Sequence, residues 1–396
     1  MAIIALRGRF VSFVDRARKA ALGIIATGTL AACNVSAPVT SGGDGVAGSG
    51  ATQVALLVPY GSSRATDAGL ARSLENAARM AAADLQNAPV EITVYPTQGS
   101  AAGASAAANQ AVAAGAQVIL GPLYADNAAA AGVAAARSGV PVLSFSNNTA
   151  VAGGNVWVLG NTFENTANRL LSYAAGQGRN RILVTRNNQG TGDVALQAIR
   201  QAAGGTRAQI TGDVAYDLSQ QGILDAVPSI VEQVRSSGSN GVFLTGDTAG
   251  DLPVIAQLLS EAGLGDEESR FLGLTRWDIP AEALQLPGLQ GGYFALPDPG
   301  RSTQFRARYQ STYGASPHPL AGIAYDGMAA IGAIAAQDQT IGRSSLTRSA
   351  GFAGTGGVFR LRGDGTVQRA LAVAQVVNRT AQVVSPAPST FGGAGF

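Results

Sequence analysis

The sequence predicts an α/β protein made of two doubly wound βα lobes joined by three crossovers. Three observations point there. Short apolar runs of strand length end at Gly, Pro or small polar residues. Ala-rich stretches with helical spacing lie between them, so the strands read as buried and parallel. The alternation then breaks once, after residue 296, where two helices follow in succession before short strands resume.

The first strand is Val54-Ala55-Leu56-Leu57-Val58, closed by Pro59. Residues 67–85 follow as a helix, with Leu70, Leu74, Ala77, Ala78 and Ala81 on one face and Arg72, Glu75 and Arg79 turned to water. Strands are expected at 90–95, 117–120, 140–145 and 156–159, with helices near 101–114 and 125–137 between them. A second series runs through helices 163–175, 191–203, 222–235 and 249–261. Its strands are 181–185, 209–214, 241–244, 270–273 and 291–296. Helices 302–313 and 320–336 precede strands 358–361 and 366–377, and Arg362-Gly363-Asp364-Gly365 between those strands reads as a tight turn. The expected lobes are 51–160 with 297–352, and 161–296 with 353–385. Residues 386–396 form a tail, and crossovers fall near 160–163, 296–299 and 351–355.

Composition narrows the function. The chain has 396 residues, 46% hydrophobic and 13% charged, which excludes general disorder and allows two or three domains with real cores. One cysteine permits no internal disulfide, and one histidine, His318 between two prolines, leaves little for a His-based metal site. Arg7, Arg9, Arg16, Arg18 and Lys19 against Asp15 give the first 32 residues a net charge of +4, so the remainder of this +2 chain carries −2. No basic run occurs in that remainder, which argues against nucleic-acid binding.

The basic stretch precedes a thirteen-residue apolar run, 20–32. As a helix it would span about 20 Å, short of a hydrocarbon core of roughly 30 Å. That is the pattern of a secretory signal. Leu30-Ala31-Ala32-Cys33 resembles a bacterial lipobox, which implies cleavage before Cys33 and lipidation of its thiol. Residues 34–50 are rich in Ser, Gly, Ala and Pro and read as a flexible tether. Their Gly43-x-Gly45-x-x-Gly48 has no preceding strand and is an accident of composition.

Several stretches resemble a known family. Ser73-Leu74-Glu75-Asn76-Ala77-Ala78-Arg79-Met80-Ala81 is similar to the first helix of the type I periplasmic binding fold, the Leu/Ile/Val-binding architecture. Ala114 to Leu123 resembles its third strand and loop. Pro141-Val142-Leu143-Ser144-Phe145-Ser146-Asn147-Asn148, continuing to Gly153, looks closest to the penicillin-binding protein activators, in which this fold sits on an outer-membrane lipoprotein and stimulates a peptidoglycan synthase. The helical-repeat domain of the enteric activator has no counterpart before residue 51, so its functions are not implied.

Ligands of open α/β sheets bind beyond the carboxyl ends of strands. That places Tyr60, Ser62, Ser63, Tyr124, Ser146, Asn147 and Asn148 on one lip of a ligand cleft and Asn188 and Asp247 on the other. Tyr325-Asp326 resembles the family's Tyr-Asp pair near the cleft. Arg276 and Trp277, just past a strand, are candidates for a partner surface, since Trp and Arg anchor interfaces. Gly190-x-Gly192-x-x-Ala195 follows a strand but lacks the third glycine of a dinucleotide fingerprint. No nucleophile elbow, His-Glu-x-x-His pair or Walker loop occurs, so neither catalysis nor a cofactor or metal is expected. The chain thus reads as a periplasmic, lipid-anchored, non-enzymatic protein that activates a peptidoglycan synthase, held at the outer membrane. The alternative is a substrate-binding lipoprotein of an ABC importer for branched-chain or other amino acids or amides.

Overall fold

A computed structural model of the chain describes residues 50–85, 88–265 and 269–392. The expected signal segment, Cys33 and all of the tether but Gly50 lie outside them.

The first sheet is wholly parallel. Its strands are β1 (Thr52–Val58), β2 (Val90–Pro96), β3 (Val118–Leu120), β4 (Val142–Ser144) and β5 (Val156–Val158), in the order β2-β1-β3-β4-β5. Alternate side chains serve opposite faces. Val54, Leu56 and Val58 of β1 face a core shared with helices α1 (Asp67–Ala83) and, from late in the chain, α9 (Ala321–Ala335). Ala55 and Leu57 face the other core, where α2 (Ala101–Ala113) and α3 (Ala125–Ala136) pack. The alanine richness of α2 and α3 has a packing reason. Ala107, Ala108, Ala111, Ala131 and Ala135 are all buried there, and small side chains let the two helices approach closely.

The second sheet has seven strands: β6 (Arg181–Asn187), β7 (Gln209–Tyr216), β8 (Gly241–Leu244), β9 (Arg270–Gly273), β10 (Tyr293–Leu296), β14 (Ala372–Val377) and β15 (Thr380–Ser385). Their order is β15-β14-β10-β9-β8-β6-β7, with β14 and β15 antiparallel. Helices α4 (Phe163–Gly176) and α5 (Gly190–Ala203) cover one face. Helices α6 (Gln220–Ser237) and α7 (Leu252–Glu261) cover the other. α8 (Pro299–Tyr313) returns to pack beside α1, and the single turn α10 (Arg343–Leu346) follows α9.

The strands after α10 differ from expectation. β11 (Phe352–Gly354), β12 (Gly357–Leu361) and β13 (Val367–Arg369) form a separate antiparallel sheet. Phe352, Phe359, Leu361 and Val367 are buried in the core shared by α1 and α9, so this sheet belongs with the first half. The third crossover therefore comes at residues 370–371 instead of 351–355, and the single strand expected at 366–377 is two, serving different sheets. The turn after β12 is as expected: Gly365 has φ +85° and its N–H donates to the Arg362 carbonyl at 3.0 Å.

One arginine ties this junction. Arg369 donates from Nη1 to Asp326 Oδ2 at 2.7 Å and from Nε to the Leu159 carbonyl at 2.8 Å. Its backbone N–H donates to Asn165 Oδ1 at 2.9 Å, and Asn165 Nδ2 donates back to its carbonyl at 3.1 Å. A helix of the first half, the first crossover and a helix of the second half thus meet at one residue. Among the described residues, no helix is long and apolar enough to cross a membrane.

Candidate functional site

The carboxyl ends of β1, β3 and β4 lie side by side because the strands are parallel, and their loops are bonded to one another. The Phe145 N–H donates to the Pro122 carbonyl at 3.0 Å, as does Ser144 Oγ at 2.8 Å. Tyr124, in the β3 loop, donates its hydroxyl to Asp67 Oδ1 at 2.7 Å, reaching the residue that opens α1 after the β1 loop. The structure therefore brings Tyr60, Ser62, Ser63, Tyr124, Ser146, Asn147 and Asn148 to one end of the first sheet. Ser146 is buried, while Asn147 and Asn148 are exposed.

Several of these polar groups have a local role. Tyr60 donates to Glu75 Oε2 at 2.8 Å, and burial together with that bond pushes its pKa up to about 12, so it stays a donor. Burial and the Asp67 bond raise Tyr124 as well, and the Arg64 guanidinium stacks 4.6 Å from its ring centre. Ser146 Oγ accepts from the Asn148 N–H, and Asn148 Oδ1 accepts from Ala150, shaping the loop. Asp67 itself is the residue that sequence reasoning missed. It is only 2% exposed, and its Oδ2 has no hydrogen-bond partner. That atom is a buried carboxylate oxygen near the β1-loop hydroxyls that the fold leaves without a donor, an uncommon state for a buried polar atom. The signal lay in the sequence, since an Asp opens the helix that follows the first strand's loop, but an acid at that place also reads as an ordinary complement to the helix dipole.

On the second sheet, Asn188 and Asp247 follow β6 and β8, which are neighbours in the sheet. Asn188 donates its side-chain amide to Asp217. Asp247 is exposed and uses Oδ1 to accept from Ala249, while its own N–H donates to Asp251 Oδ1 at 2.9 Å. Asp251 also takes the Tyr216 hydroxyl at 2.6 Å, and burial raises that tyrosine strongly. This buried pair fixes the β8 loop from beneath.

Four expected positions are placed elsewhere or act otherwise. Tyr325 points away from the lip: its hydroxyl donates at 2.7 Å to Asp84 Oδ2, just past the end of α1. A helix of 17 residues puts that end about 26 Å from Asp67. Asp326 is 1% exposed and saturated by Arg369 and by the Thr355 N–H at 2.7 Å, so it holds the junction and does not line the cleft. Trp277 is 0% exposed and is no surface anchor. Its indole packs on Phe294 with ring centres 5.8 Å apart, in a slot that Gly273 and Gly292 leave open by lacking a β-carbon. Arg276 is spent on Asp278, with Nε 2.9 Å from Oδ1. His318 is a cap: its Nδ1 accepts the Leu320 N–H at 3.2 Å. Among the described residues, no group of three His, Cys, Asp or Glu side chains is placed to hold a metal.

Comparison with known proteins decides the family. The periplasmic binding protein family model matches residues 51–381. The chain belongs to that family. Its resemblance to the Leu/Ile/Val-binding architecture is thereby supported, and the family is one of binding proteins that work in the periplasm. A search of curated proteins found no match. Among solved structures, a branched-chain amino acid ABC transporter protein from Rhodospirillum rubrum is 17% identical, with a TM-score of 0.71, covering 84% of this chain and all of its own. An ABC transporter substrate-binding protein from Desulfitobacterium hafniense, in complex with Leu, is 17% identical with a TM-score of 0.62, covering 85% of this chain and 100% of its own. A solute-binding protein of an ABC transporter from R. palustris, in complex with benzoate, is 15% identical with a TM-score of 0.54, covering 87% of this chain and 99% of its own. At these identities the likeness speaks for the fold.

Proposed function

We propose that the chain is the substrate-binding component of an ABC importer and takes a small carboxylate-bearing ligand of the amino-acid class between its two βα halves. The observation that carries this is the convergence of the β1, β3 and β4 loops, with their hydroxyls and the unpartnered Asp67 oxygen, in a chain whose family match runs from residue 51 to 381. The fold relatives named above are transport receptors, and the ligands in two of them, Leu and benzoate, share a carboxylate. Hydroxyl and backbone N–H donors suit that group, and Asp67 or Asp247 suits an amine. Lipidation at Cys33 would tether such a receptor at the membrane.

A second reading, activation of a peptidoglycan synthase from the outer membrane, rests on the resemblance of residues 141–153 and on the exposure of Asn147 and Asn148 within it. One experiment separates the two: thermal-shift and calorimetric titration of the chain with amino acids, their amides and aromatic carboxylates. A ligand at 100 times its Kd adds about 2.7 kcal/mol of stability. Stabilisation by one class, reduced by Tyr124→Phe, is the outcome expected of the receptor. Flat titrations throughout, with stimulation of a synthase by the added protein, would overturn it in favour of the activator.

A further inference from the structure

A groove away from the strand ends stands out by the arginines that line it. It measures about 580 Å³ and is lined by Asn168 of α4, Thr347, Ser349, Arg360, Arg362 and Gln368, together with Leu361 and Gly363. It flanks the edge of the first sheet, where Trp157 Nε1 and the Val158 N–H bond the 362–365 turn at 3.1 and 2.9 Å. The segment 340–370 holds five arginines and one acid, a net of +4 in a chain whose net from residue 33 onward is −2. Only Arg369 among them is buried against a carboxylate.

The other four arginines leave their charge largely uncompensated. Arg360 gives Nε to Gln368 Oε1 at 2.7 Å and stacks on Phe391, 4.7 Å from its ring centre. Arg343 gives its guanidinium to the carbonyls of Gly363 and Gly154 and lies over the Trp157 ring. Arg348, between Thr347 and Ser349, donates to the Gly351 carbonyl and lies over Phe352. None of the three meets a carboxylate among the described residues. Arg362 has Asp364 at 3.8 Å, with both side chains more than half exposed, a pair of little worth in water. Carbonyls and ring faces fix the guanidinium planes without neutralising them, and an anion with paired oxygens would do so bidentately.

We propose that this groove is an anion site, separate from the cleft, for a small ligand carrying at least two phosphate or carboxylate groups. Arg360 and Arg362 hold the anionic groups, and Thr347, Ser349, Asn168 and Gln368 supply neutral hydrogen bonds. Because Asn168 comes from α4, the occupant spans the junction of the two halves.

The test is calorimetric titration of the full chain at low salt with tripolyphosphate and, separately, with tricarballylate. At least one probe should bind one to one and weaken as salt rises. Arg362→Gln and the Arg360→Gln/Arg362→Gln pair should weaken it, the pair by about tenfold or more, while Arg301→Gln on α8 changes nothing. Arg362 is exposed, so its variant stays folded and keeps the test decisive if the pair does not. Which probe responds assigns phosphate or carboxylate as the ligand chemistry. Absence of binding by both, or equal binding by the arginine variants, overturns the proposal.

Discussion

At the scale of single residues, the tightest constraints sit where the sequence offered a functional temptation. Asp326 and Arg369 form a pair whose side chains are 2% and 11% exposed. Two buried charges attract strongly, but removing one leaves the other without compensation. Arg369→Met should therefore destabilise the fold by about 3–5 kcal/mol in denaturant titration. The double variant with Asp326→Asn should recover part of that loss, and its failure to do so would show that the lost bond from Nε to the Leu159 carbonyl carries the cost. Trp277 is a comparable case. A Trp next to an Arg past a strand is as good a sequence signal for an interface as for a core, and only the two glycines that shape its slot distinguish them. Gly273→Ala should be costly for the same reason, since the new methyl would collide with the indole. A fluorescence shift of Trp277 toward that of exposed indole, with loss of stability, is the expected readout.

Among elements, helices and parallel strands were legible because their apolar spacing is unambiguous, while the late strands were not. Residues 366–377 read as one strand, and no Gly, Pro or turn residue marks the step at 370–371 where the chain changes sheets. β15 escaped notice because its side chains are mostly exposed, so it lacks a hydrophobic face. The packing of α8 and α9 on α1 has a titratable signature. Asp84 accepts from Arg308 and Tyr325, and the Arg308 bond holds its pKa below the ordinary carboxylate value of 3.8. That stabilisation is present above about pH 4 and is lost as the pH falls through the folded pKa. His318 behaves differently: burial lowers its pKa beneath 6.5, so the unfolded chain takes up the proton first on acidification. Stability should begin to fall just below pH 6.5, and in His318→Asn, which keeps a short acceptor for the Leu320 N–H, that step should vanish from the profile of denaturation midpoint against pH. A step that persists in the variant would assign it to another group.

For the whole molecule, the two halves are interleaved along the chain, and the groove joins Asn168 of α4 to Arg360 and Arg362, which lie far from it in sequence. Only the fold gathers them. The same interleaving makes the second sheet depend on the last strands. Arg169 on α4 is 8% exposed, and burial lowers its pKa. Its Nε donates to the Leu371 carbonyl at 2.6 Å, and its Nη2 to Ser385 Oγ at 2.7 Å and the Pro386 carbonyl at 3.2 Å. A chain ending at Arg379 loses β15 and both Nη2 partners, leaving a buried cation with unmet donors. The loss should exceed about 2 kcal/mol, beyond what the mostly exposed strand itself would contribute. Replacing the stranded charge by Arg169→Met in the shortened chain should restore part of it, because an apolar side chain of similar reach has no donors to satisfy. Hydrogen exchange should place the loss in β10, β14 and α4 and leave β1 to β5 protected as before. Equal loss of protection in both sheets would mean that the halves unfold as one unit, with Arg369 and Asn165 as the coupling.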